Sequence, residues 1–337
     1  MRWTSVKPGM RPLTLLRIAC DVPSPSLPRL PRAVVSTFVS RFVNPPAGAP
    51  AHDELHAAVA GKSVLVTGAS HGIGRATALQ LAGAGAEVLA LARTGDLLRE
   101  LVAEIETAGG RAHALEADLT DLDAVPALAQ GIVAEHGAPD IVVNNAGKSI
   151  RRSLARSYDR FHDFRRTIDI NYLGPVQLLL ELLPPMAKRG SGHVVNVSTV
   201  GVLLPPAPRW AAYQASKAAF DVWLRSVASE LSAEGVKSTS IYMSLVHTRM
   251  SAPTDDFDWV PGLTAEQAGD VICKAIVEQP RSVTPWWATL MGVFGDLARG
   301  PSDAALGEYY RRTMGGGARE GPGPAQAAPP DSSPSGC

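Results

Sequence analysis

The sequence predicts an α/β fold, a doubly wound parallel sheet with helices on both faces. Six short runs rich in aliphatic and β-branched residues alternate with segments of helical length. Most of these runs are apolar throughout, which is typical of strands that helices cover on both faces. Because a helical segment separates each run from the next, the strands are expected to be parallel. The predicted strands are residues 63–66, 86–91, 111–116, 141–143, 193–197 and 238–243.

The helices are predicted from the residues that follow these strands. After the first strand, a glycine-rich turn leads into a helix that begins at about Gly74. After the second, leucines at helical spacing predict an amphipathic helix through Ile105. The strand at 193–197 is followed, after a proline-containing loop, by an alanine-rich helix that opens near Tyr213. The order of strand and helix is therefore regular from the first strand onward.

The composition fits a large folded unit and excludes several classes of protein. The chain has 337 residues, of which 45% are hydrophobic, enough to bury a core. Its 32 basic and 32 acidic residues give a net charge of zero, so no general attraction to nucleic acid is expected. No run of about eighteen apolar residues occurs that would span a membrane. Three widely separated cysteines indicate neither disulfides nor a zinc site and favour a cytoplasmic protein.

The two ends of the chain differ in composition from the middle. Residues 1–55 are basic and rich in proline, and they are predicted to be a poorly ordered extension. An apolar stretch within them, residues 33–39, leaves weak association with an anionic membrane surface as an alternative. Residues 315–337 are rich in Gly, Pro and Ala and predict a disordered tail. A single folded domain is therefore expected at residues 56–314.

The turn after the first strand predicts a dinucleotide site. Gly68, Gly72 and Gly74 allow a tight turn and let backbone N–H groups approach a pyrophosphate at the start of a helix. Their spacing differs from the common G-x-G-x-x-G fingerprint, but the turn lies between a buried strand and a helix, which is the context that this chemistry needs. The candidate cofactor residues here are Gly68, Ser70, His71, Gly72, Ile73 and Gly74.

The tip of the second strand predicts which dinucleotide binds. The strand ends at Arg93 and carries no carboxylate at its tip. An acid there would accept a hydrogen bond from the ribose 2′-hydroxyl, whereas an arginine attracts a 2′-phosphate. NADP(H) is therefore favoured over NAD(H), with Ser70, His71 or Thr94 as helpers. A solvated surface arginine is the alternative.

The third and fourth strands end in further candidate cofactor residues. Asp118 and Leu119 follow the third strand, and Asp118 is a candidate acceptor for the adenine amino group. Thr120 beside them is equally suited to cap the next helix. The fourth strand is followed by small residues that suit close approach of the backbone to a cofactor, although adjacent asparagines also form turns. These candidates are Asn145, Ala146 and Gly147.

A catalytic group is predicted at the end of the strand at 193–197. Ser198 and Thr199 lie at its carboxyl end, where ligands bind in open α/β sheets. Tyr213 and Lys217 follow four residues apart on a helix and therefore share one face. An ammonium beside a phenol favours the phenolate and is expected to lower the phenol pKa, so that Tyr213 relays a proton.

This combination resembles the short-chain dehydrogenase/reductase family over about residues 60–280. The resemblance implies a Rossmann-type fold with a seven-stranded parallel sheet, hydride transfer from a nicotinamide cofactor, and a dimer or tetramer of identical chains. It implies that Tyr213 is the general acid, that Lys217 binds the nicotinamide ribose and tunes Tyr213, and that Asn171 holds a water in a proton relay. A hydroxyl at 198 or 199 would orient the substrate carbonyl.

The chain departs from the family pattern at two places. Thr199 lies fourteen and Ser198 fifteen residues before Tyr213, more than the family's usual spacing. Both hydroxyls therefore remain candidates, with the surplus residue absorbed by the loop at 203–208. After the sixth strand the chain lacks the Pro-Gly that the family often has. Val246 and Thr248 still match positions that contact the nicotinamide carboxamide and phosphate.

Several stretches resemble actinobacterial reductases of fatty acyl and β-keto acyl chains: residues 148–154, 157–164 and 245–254. This implies an acyl-chain carbonyl as substrate. The residues themselves agree only loosely: 249–262 are long enough for a mobile lid, and 283–297 are apolar but more typical of core or subunit interface. Six arginines could meet an acidic head group, although their pattern favours a solvated helix face. They are Arg151, Arg152, Arg156, Arg160, Arg165 and Arg166.

Other functions remain as alternatives at this point. A small ketone, polyol or steroid-like alcohol is an alternative substrate, and a non-catalytic dinucleotide sensor or scaffold is an alternative of another class. No metal site is predicted, because His52 and His56 lack a third ligand and the acids at 118, 121 and 123 lack calcium-loop spacing.

Overall fold

A seven-stranded parallel sheet forms the centre of the protein, in the order β3-β2-β1-β4-β5-β6-β7. The computed structural model describes residues 44–45, 48–251 and 262–313. The strand order reverses between β1 and β4, so the sheet is doubly wound, as the sequence predicted. The strands are β1 (Ser63–Thr67), β2 (Glu87–Ala92), β3 (Arg111–Glu116), β4 (Ile141–Asn144), β5 (Gly192–Thr199), β6 (Val236–Met243) and β7 (Ser282–Val283).

The six long strands lie within two residues of their predicted bounds because burial on both faces selects unbroken apolar runs. In β1, for example, Val64, Leu65 and Val66 are all fully buried although consecutive side chains point to opposite faces. No apolar run predicted β7, because this strand has only two residues and one of them is exposed.

Helices cover both faces of the sheet. They are α1 (His52–Val59), α2 (Gly72–Gly83), α3 (Gly95–Thr107), α4 (Val125–His136), α5 (Phe161–Ile168), α6 (Gly174–Arg189), α7 (Ala211–Ala233), α8 (Ala265–Glu278), α9 (Trp286–Leu297) and α10 (Arg299–Thr313). Buried side chains of α1, α2, α3 and α8 form one core cluster with the sheet. Those of α4, α6 and α7 form a second cluster on the other face.

Some predicted features lie partly or wholly outside the described residues. These are most of the N-terminal extension, with its apolar stretch at 33–39, the tail at 315–337 and residues 252–261 of the predicted lid. Helix α1 begins at His52, before the predicted start of the folded domain, and it places Leu55 and Val59 in the core. Among the described helices, none combines the length and apolarity needed to cross a bilayer.

Candidate functional site

Thr67 joins the ends of β1 and β4 at the point where the strand order reverses. Its hydroxyl donates to the carbonyl of Val143 at 3.3 Å. The same oxygen accepts from the backbone N–H groups of Asn145, at 3.0 Å, and Ala146, at 2.9 Å. Thr67 is fully buried. The loops after the two strands are therefore fixed against each other at the place where ligands bind in such sheets.

The glycines of the predicted cofactor turn are required by close contacts. Gly68 and Gly72 have φ values of +69° and +53°, a backbone region that favours glycine. A Cβ at Gly74 would lie 2.3 Å from the carbonyl oxygen of Gly68 and 2.6 Å from Nδ2 of Asn145. Asn145 Nδ2 in turn donates to the carbonyl of Thr67 at 2.9 Å. Side chains larger than hydrogen cannot enter this turn without moving it.

The amino end of α2 is suited to bind an anion. The helix has no side-chain cap on its first turn and no acidic residue there. Its unpaired N–H groups and helix dipole attract negative charge such as a pyrophosphate. Thr248, after β6, reaches this end, since its Cγ2 lies 3.3 Å from the Cβ position of Gly72. The turn, the uncapped helix and Thr248 together fit a dinucleotide.

Three other predicted loop residues flank this helix end. The Nδ1 of His71 lies 3.1 Å from the hydroxyl of Ser70, and its Nε2 lies 3.4 Å from a guanidinium nitrogen of Arg249. Ile73 is partly buried and packs against the core cluster of α2. These contacts place the polar side chains of the loop on its solvent side, where a bound phosphate would lie.

Arg93 at the tip of β2 is 67% exposed and lies 3.5 Å from Asp118. Asp118 also accepts hydrogen bonds from the backbone and hydroxyl of Thr120, at 2.9 and 2.8 Å. The alternative for this segment, Thr120 as the cap of the next helix, is not realised, because Ala124 precedes α4 without a side-chain cap and the Thr120 hydroxyl donates to Asp118. Leu119 is 2% exposed and belongs to the core cluster of α4.

Sequence reasoning missed a carboxylate at this edge. The Oε2 of Glu116, at the end of β3, lies only 1.9 Å from the Cβ position of Gly95, directly after Arg93 and Thr94. Arg99 lies 3.6 Å from the same oxygen. The tip of β2 thus carries no acid of its own but has one on the neighbouring strand, which only the pairing of β2 with β3 brings close.

Asn171 lies in a π-helical turn, Asp169–Leu173, between α5 and α6. The residue is 1% exposed, and both ends of its side-chain amide form hydrogen bonds. Its Oδ1 accepts from the backbone N–H of Lys148 at 2.8 Å, and its Nδ2 donates to the carbonyl of Lys148 and to the hydroxyl of Ser216, both at 2.9 Å. Asn171 therefore connects the loop after β4 with α7.

Ser216 is a residue of the site to which the sequence analysis gave no role. Its hydroxyl donates to the carbonyl of Tyr213 at 2.9 Å while it accepts from Asn171. It is 1% exposed. A small hydroxyl one position before Lys217 was the available signal, but its partner is a residue distant in sequence.

The two candidate hydroxyls at the end of β5 have different surroundings. Thr199 is partly exposed, and an interaction of its side chain with the Tyr213 phenol acts to lower the pKa of that phenol. It also accepts from the N–H of Gly201 at 3.2 Å and so caps a short 3₁₀ turn. Ser198 is 4% exposed, and its Oγ has no hydrogen-bond partner in the part of the chain that the structure describes. Only Thr199 is brought to Tyr213.

The extra residue between Thr199 and Tyr213 is accommodated by the loop that was expected to absorb it. Gln214 fastens this loop to the start of α7. Its Nε2 donates to the carbonyl of Gly201, and its Oε1 accepts from the N–H of Ala207, both at 3.0 Å. The longer loop therefore folds against α7 and leaves Thr199 in contact with Tyr213.

Lys217 is buried beside Asn171 and Gly147. Its ammonium donates to the carbonyl of Val197 at 3.1 Å, and the side chain is 7% exposed. Burial lowers the pKa of Lys217 to about 8. A Cβ at Gly147 would lie 2.9 Å from Oδ1 of Asn171 and 3.3 Å from Nζ of Lys217. Glycine at this position keeps the space above both groups open.

The sequence predicted a lowered pKa for Tyr213, and this prediction was wrong for the chain without a bound cofactor. Burial raises the pKa of the Tyr213 phenol, and the interaction with the Thr199 side chain opposes that rise only in part. The ammonium of Lys217 is directed to the backbone carbonyl of Val197 instead. With its pKa raised, the Tyr213 hydroxyl keeps its proton at neutral pH.

Val246 and Thr248 lie in the segment after β6. Val246 is 8% exposed and bridges to Leu263 in a parallel pairing. The hydroxyl of Ser251 accepts from the N–H of Thr248 at 2.9 Å and donates to the carbonyl of Val246 at 2.9 Å. The segment is thus shaped by local hydrogen bonds although it lacks the expected Pro-Gly.

A pocket of about 480 Å³ adjoins the start of α7. Its lining is mostly apolar and includes Ile150, Leu154, Phe164, Ala212 and Tyr310. Two of the six arginines predicted for a head group serve the fold instead: Arg152 and Arg160 donate to the same oxygen of buried Asp163, at 3.0 and 2.9 Å. Burial opposes ionisation of Asp163, but Arg160 and Arg152 hold its pKa below the usual value.

Three other predicted features can be placed. Asp121 accepts from the N–H of Ala124 at 3.3 Å, as a helix-capping acid does. The rings of His52 and His56 lie 6.3 Å apart, centroid to centroid. Along α9, Leu290, Phe294 and Leu297 are more than half exposed. Association of identical chains stays a prediction.

Comparisons with known proteins agree with this geometry. The model of the short chain dehydrogenase family matches residues 62–259. A fatty acyl-CoA reductase of Acinetobacter baylyi is 48% identical over 225 residues, covering 67% of this chain and 76% of that protein. A fatty acyl-CoA reductase of Mycobacterium tuberculosis is 43% identical over 225 residues with the same coverage, 67% and 76%. A metagenomic short-chain oxidoreductase, solved in complex with NADP, aligns with a TM-score of 0.57 and 30% identity over 65% of this chain and 92% of that one.

Proposed function

This chain belongs to the short-chain dehydrogenase family of oxidoreductases, and on that premise we propose that it is an NADPH-dependent reductase of carbonyl groups on fatty acyl chains. The observation that carries the proposal is the meeting of Thr199, Tyr213, Lys217 and Asn171 beside Gly147. We call these four residues the catalytic cluster. A nicotinamide dinucleotide held by the glycine turn would place its reactive ring next to them.

The reaction needs a hydride and a proton. When bound, the cofactor supplies the hydride, which goes to the carbonyl carbon. Tyr213 donates its hydroxyl proton to the carbonyl oxygen, so that the C=O group becomes CH–OH. Its raised pKa keeps the proton on the phenol until negative charge develops on the substrate oxygen. The product of this step is an alcohol, and no further reactant is required.

The other three residues prepare this step. The Thr199 hydroxyl, which already contacts Tyr213, donates a hydrogen bond to the same carbonyl oxygen. The ammonium of Lys217 holds the nicotinamide ribose and favours the phenolate that remains after proton transfer. Asn171 orients a water that returns a proton toward Lys217 and Tyr213, and its two bonds to the backbone of Lys148 keep it in place.

The preference for NADPH rests on Arg93. Its guanidinium is mostly exposed, and among the described residues its one ion pair is the 3.5 Å contact with Asp118, which is weak at a surface. A 2′-phosphate would form shorter, charge-assisted hydrogen bonds with the guanidinium and displace that contact. The complex of the metagenomic oxidoreductase with NADP is consistent with this choice.

The acyl chain is proposed from two independent supports. Both curated relatives named above are fatty acyl-CoA reductases, and each aligns over 225 residues. The apolar pocket of about 480 Å³ lies against Ala211 and Ala212, two residues and one residue before Tyr213. An extended alkyl chain in that pocket would leave its carbonyl end near the catalytic cluster. Apolar pockets of this size hold lipid-like ligands well.

The test is NADPH oxidation with carbonyl substrates of increasing chain length. Aldehydes, acyl-CoA thioesters and β-keto acyl thioesters are assayed separately, each from short to long chains. We expect kcat/KM to rise with chain length, since each buried methylene contributes about 0.8 kcal/mol. A Leu154→Asp variant in the pocket should remove the length dependence while activity on short aldehydes remains. Equal activity on short ketones, or oxidation of polyols with NADP⁺ as hydride acceptor, would favour a small-molecule oxidoreductase instead.

A further inference from the structure

Three metal-ligating side chains that the proposed reaction does not use lie together on β2, β3 and α4. Glu87 opens β2, His113 is the third residue of β3, and His136 is the last residue of α4. One ligand atom of each lies within 4.8 Å of the other two. The glycine turn and the catalytic cluster follow the carboxyl ends of the strands, whereas this group lies toward their amino ends. It is therefore separate from the proposed chemistry.

Direct contacts within the group leave one imidazole without a hydrogen bond. Nε2 of His113 lies 2.8 Å from Oε1 of Glu87. The ring of His136 packs on that of His113 with centroids 4.6 Å apart. The His136 side chain is only 8% exposed, yet no described residue forms a hydrogen bond with its ring; its ion-pair distance to Glu135 is 3.9 Å. The ring nitrogens of His136 are not fully enclosed, so an ion from solvent can reach them.

We propose that Glu87, His113 and His136 bind a divalent transition-metal ion, with Zn²⁺ as the best fit. Two imidazoles and one carboxylate are an ordinary zinc ligand set, with a water as the fourth ligand. Imidazole nitrogens disfavour Mg²⁺ and Ca²⁺, which prefer oxygen. Bonds of about 2.1 Å in a tetrahedron separate ligand atoms by roughly 3.4 Å, so the present spacing needs only small side-chain movements.

The surroundings favour a cation at this place. The side chains of His113 and Glu87 are 42% and 32% exposed, which lets them adjust and lets water reach the fourth position. His136 ends α4, and the carboxyl end of a helix attracts positive charge. A bound ion would tie the end of α4 to β2 and β3 and stabilise the folded chain.

Zinc binding is tested on the full chain without a polyhistidine tag. The protein is stripped with a chelator, dialysed against micromolar Zn²⁺ or Mg²⁺, and analysed for retained metal and for Tm. We expect one Zn²⁺ per chain and, at about 100 times Kd, a rise in Tm of roughly 5–10 °C. Mg²⁺ should raise neither value. Failure to retain Zn²⁺, or an equal effect of Mg²⁺, would overturn the proposal.

Two ligand variants and one control assign the binding to this group. His136→Gln and Glu87→Gln should each weaken Zn²⁺ binding by at least roughly tenfold and reduce the rise in Tm. The second variant keeps the hydrogen bond to His113, so it remains informative if His136→Gln fails to fold. His52→Gln in α1 removes a surface histidine and should change neither value. Zinc retention that is unchanged in both ligand variants would place the ion elsewhere and refute the assignment.

Discussion

The glycine turn after β1 and the catalytic cluster after β5 occupy the same edge of the sheet but are built differently. The turn is shaped by backbone contacts so close that Gly74 leaves no room for a methyl group. The cluster is shaped by side chains that hold one another, as Asn171 holds Ser216. Adding atoms to the turn should therefore disrupt its backbone, whereas removing atoms from the cluster should lower its activity. Substitutions in the cluster and in the turn can test this difference.

The largest effect is expected for Tyr213→Phe. Removing the proton donor should lower kcat by roughly 10²- to 10⁴-fold, the range that general acid catalysis contributes. Because the phenol is not part of the glycine turn, the Kd of NADPH should be nearly unchanged, as measured by fluorescence titration. Tyr309→Phe changes a half-exposed tyrosine outside both the cluster and the pocket and serves as control. Near-normal turnover of Tyr213→Phe would exclude this role.

The neighbouring hydroxyls provide a matched pair. Thr199→Ala should lower kcat/KM by roughly 10²-fold or more, because its hydrogen bond strengthens as charge develops on the substrate oxygen. Thr199→Ser should keep most activity. Ser198→Ala removes a buried hydroxyl that has no partner among the described residues, so activity and stability should change little. A large loss confined to Ser198→Ala would transfer the role to Ser198.

Arg93→Asp tests the cofactor edge. Replacing attraction by repulsion should weaken NADPH binding by roughly ten- to a hundredfold and leave NADH binding nearly unchanged. The control is Arg99→Asp, the same charge change at an exposed arginine that pairs with Asp96 and Glu116. Isothermal titration with both cofactors gives the ratio. If Arg93→Asp weakened both cofactors equally, Arg93 would have a structural role.

Gly74→Ala tests the backbone side of the comparison. The new methyl would lie 2.3 Å from the Gly68 carbonyl oxygen, so the turn must move. We expect a loss of about 1–3 kcal/mol in the free energy of unfolding, with weaker cofactor binding. Gly83→Ala, near the other end of α2, meets nothing within 4 Å and should not destabilise the protein. Urea denaturation of both variants distinguishes the two cases.

The smallest effect is a dependence on pH. The pKa of Lys217 is lowered to about 8, so the ammonium is lost as the pH rises through that value. If the cluster needs this charge, kcat/KM for reduction should fall above a pH of about 8. In Lys217→Arg the charge persists and the fall should shift to higher pH. A profile of wild type that stays flat through this range would contradict the proposed role of Lys217.

Lys217 also affects stability with the opposite dependence on pH. Its folded-state pKa lies below the ordinary value of about 10.5, so between about 8 and 10.5 the unfolded chain binds more protons than the folded chain. The contribution of Lys217 to the free energy of unfolding therefore rises with pH in that window. Comparison with Lys217→Met in the same window isolates this contribution.

The sequence predicted the sheet because most of its strands are buried on both faces and read as apolar runs, although β3 at the sheet edge is buried at a single position. The same logic could not locate β7, whose two residues pair only with Ser240 and Ile241. Nor could it place the start of α1. Leu55 and Val59 are isolated apolar residues in a polar stretch, and only the folded structure shows that they pack in the core. Short or isolated elements depend on tertiary contacts that no local pattern records.

At the site, sequence order alone identified the candidates but not their contacts. The choice between Ser198 and Thr199 depends on how β5 turns at its end, which local spacing leaves open. The raised pKa of Tyr213 depends on burial by the assembled fold. Glu87, His113 and His136 come together through the pairing of β2 with β3 and the packing of α4. Their separation in the sequence does not match a metal-ligand motif, so the sequence alone could not predict the group.

The π-helical turn that carries Asn171 acts as a phase shift between two helices. An α-helix turns by about 100° per residue, and the extra residue of a π turn resets that rotation. α5 therefore ends with one orientation, and α6 starts with another that buries Leu178 and Leu182. Deleting one residue between 169 and 173 would restore regular helical winding and rotate α6 by about 100° relative to α5. An enzyme shortened at this point would lose the direction of Asn171 and the buried face of α6 together.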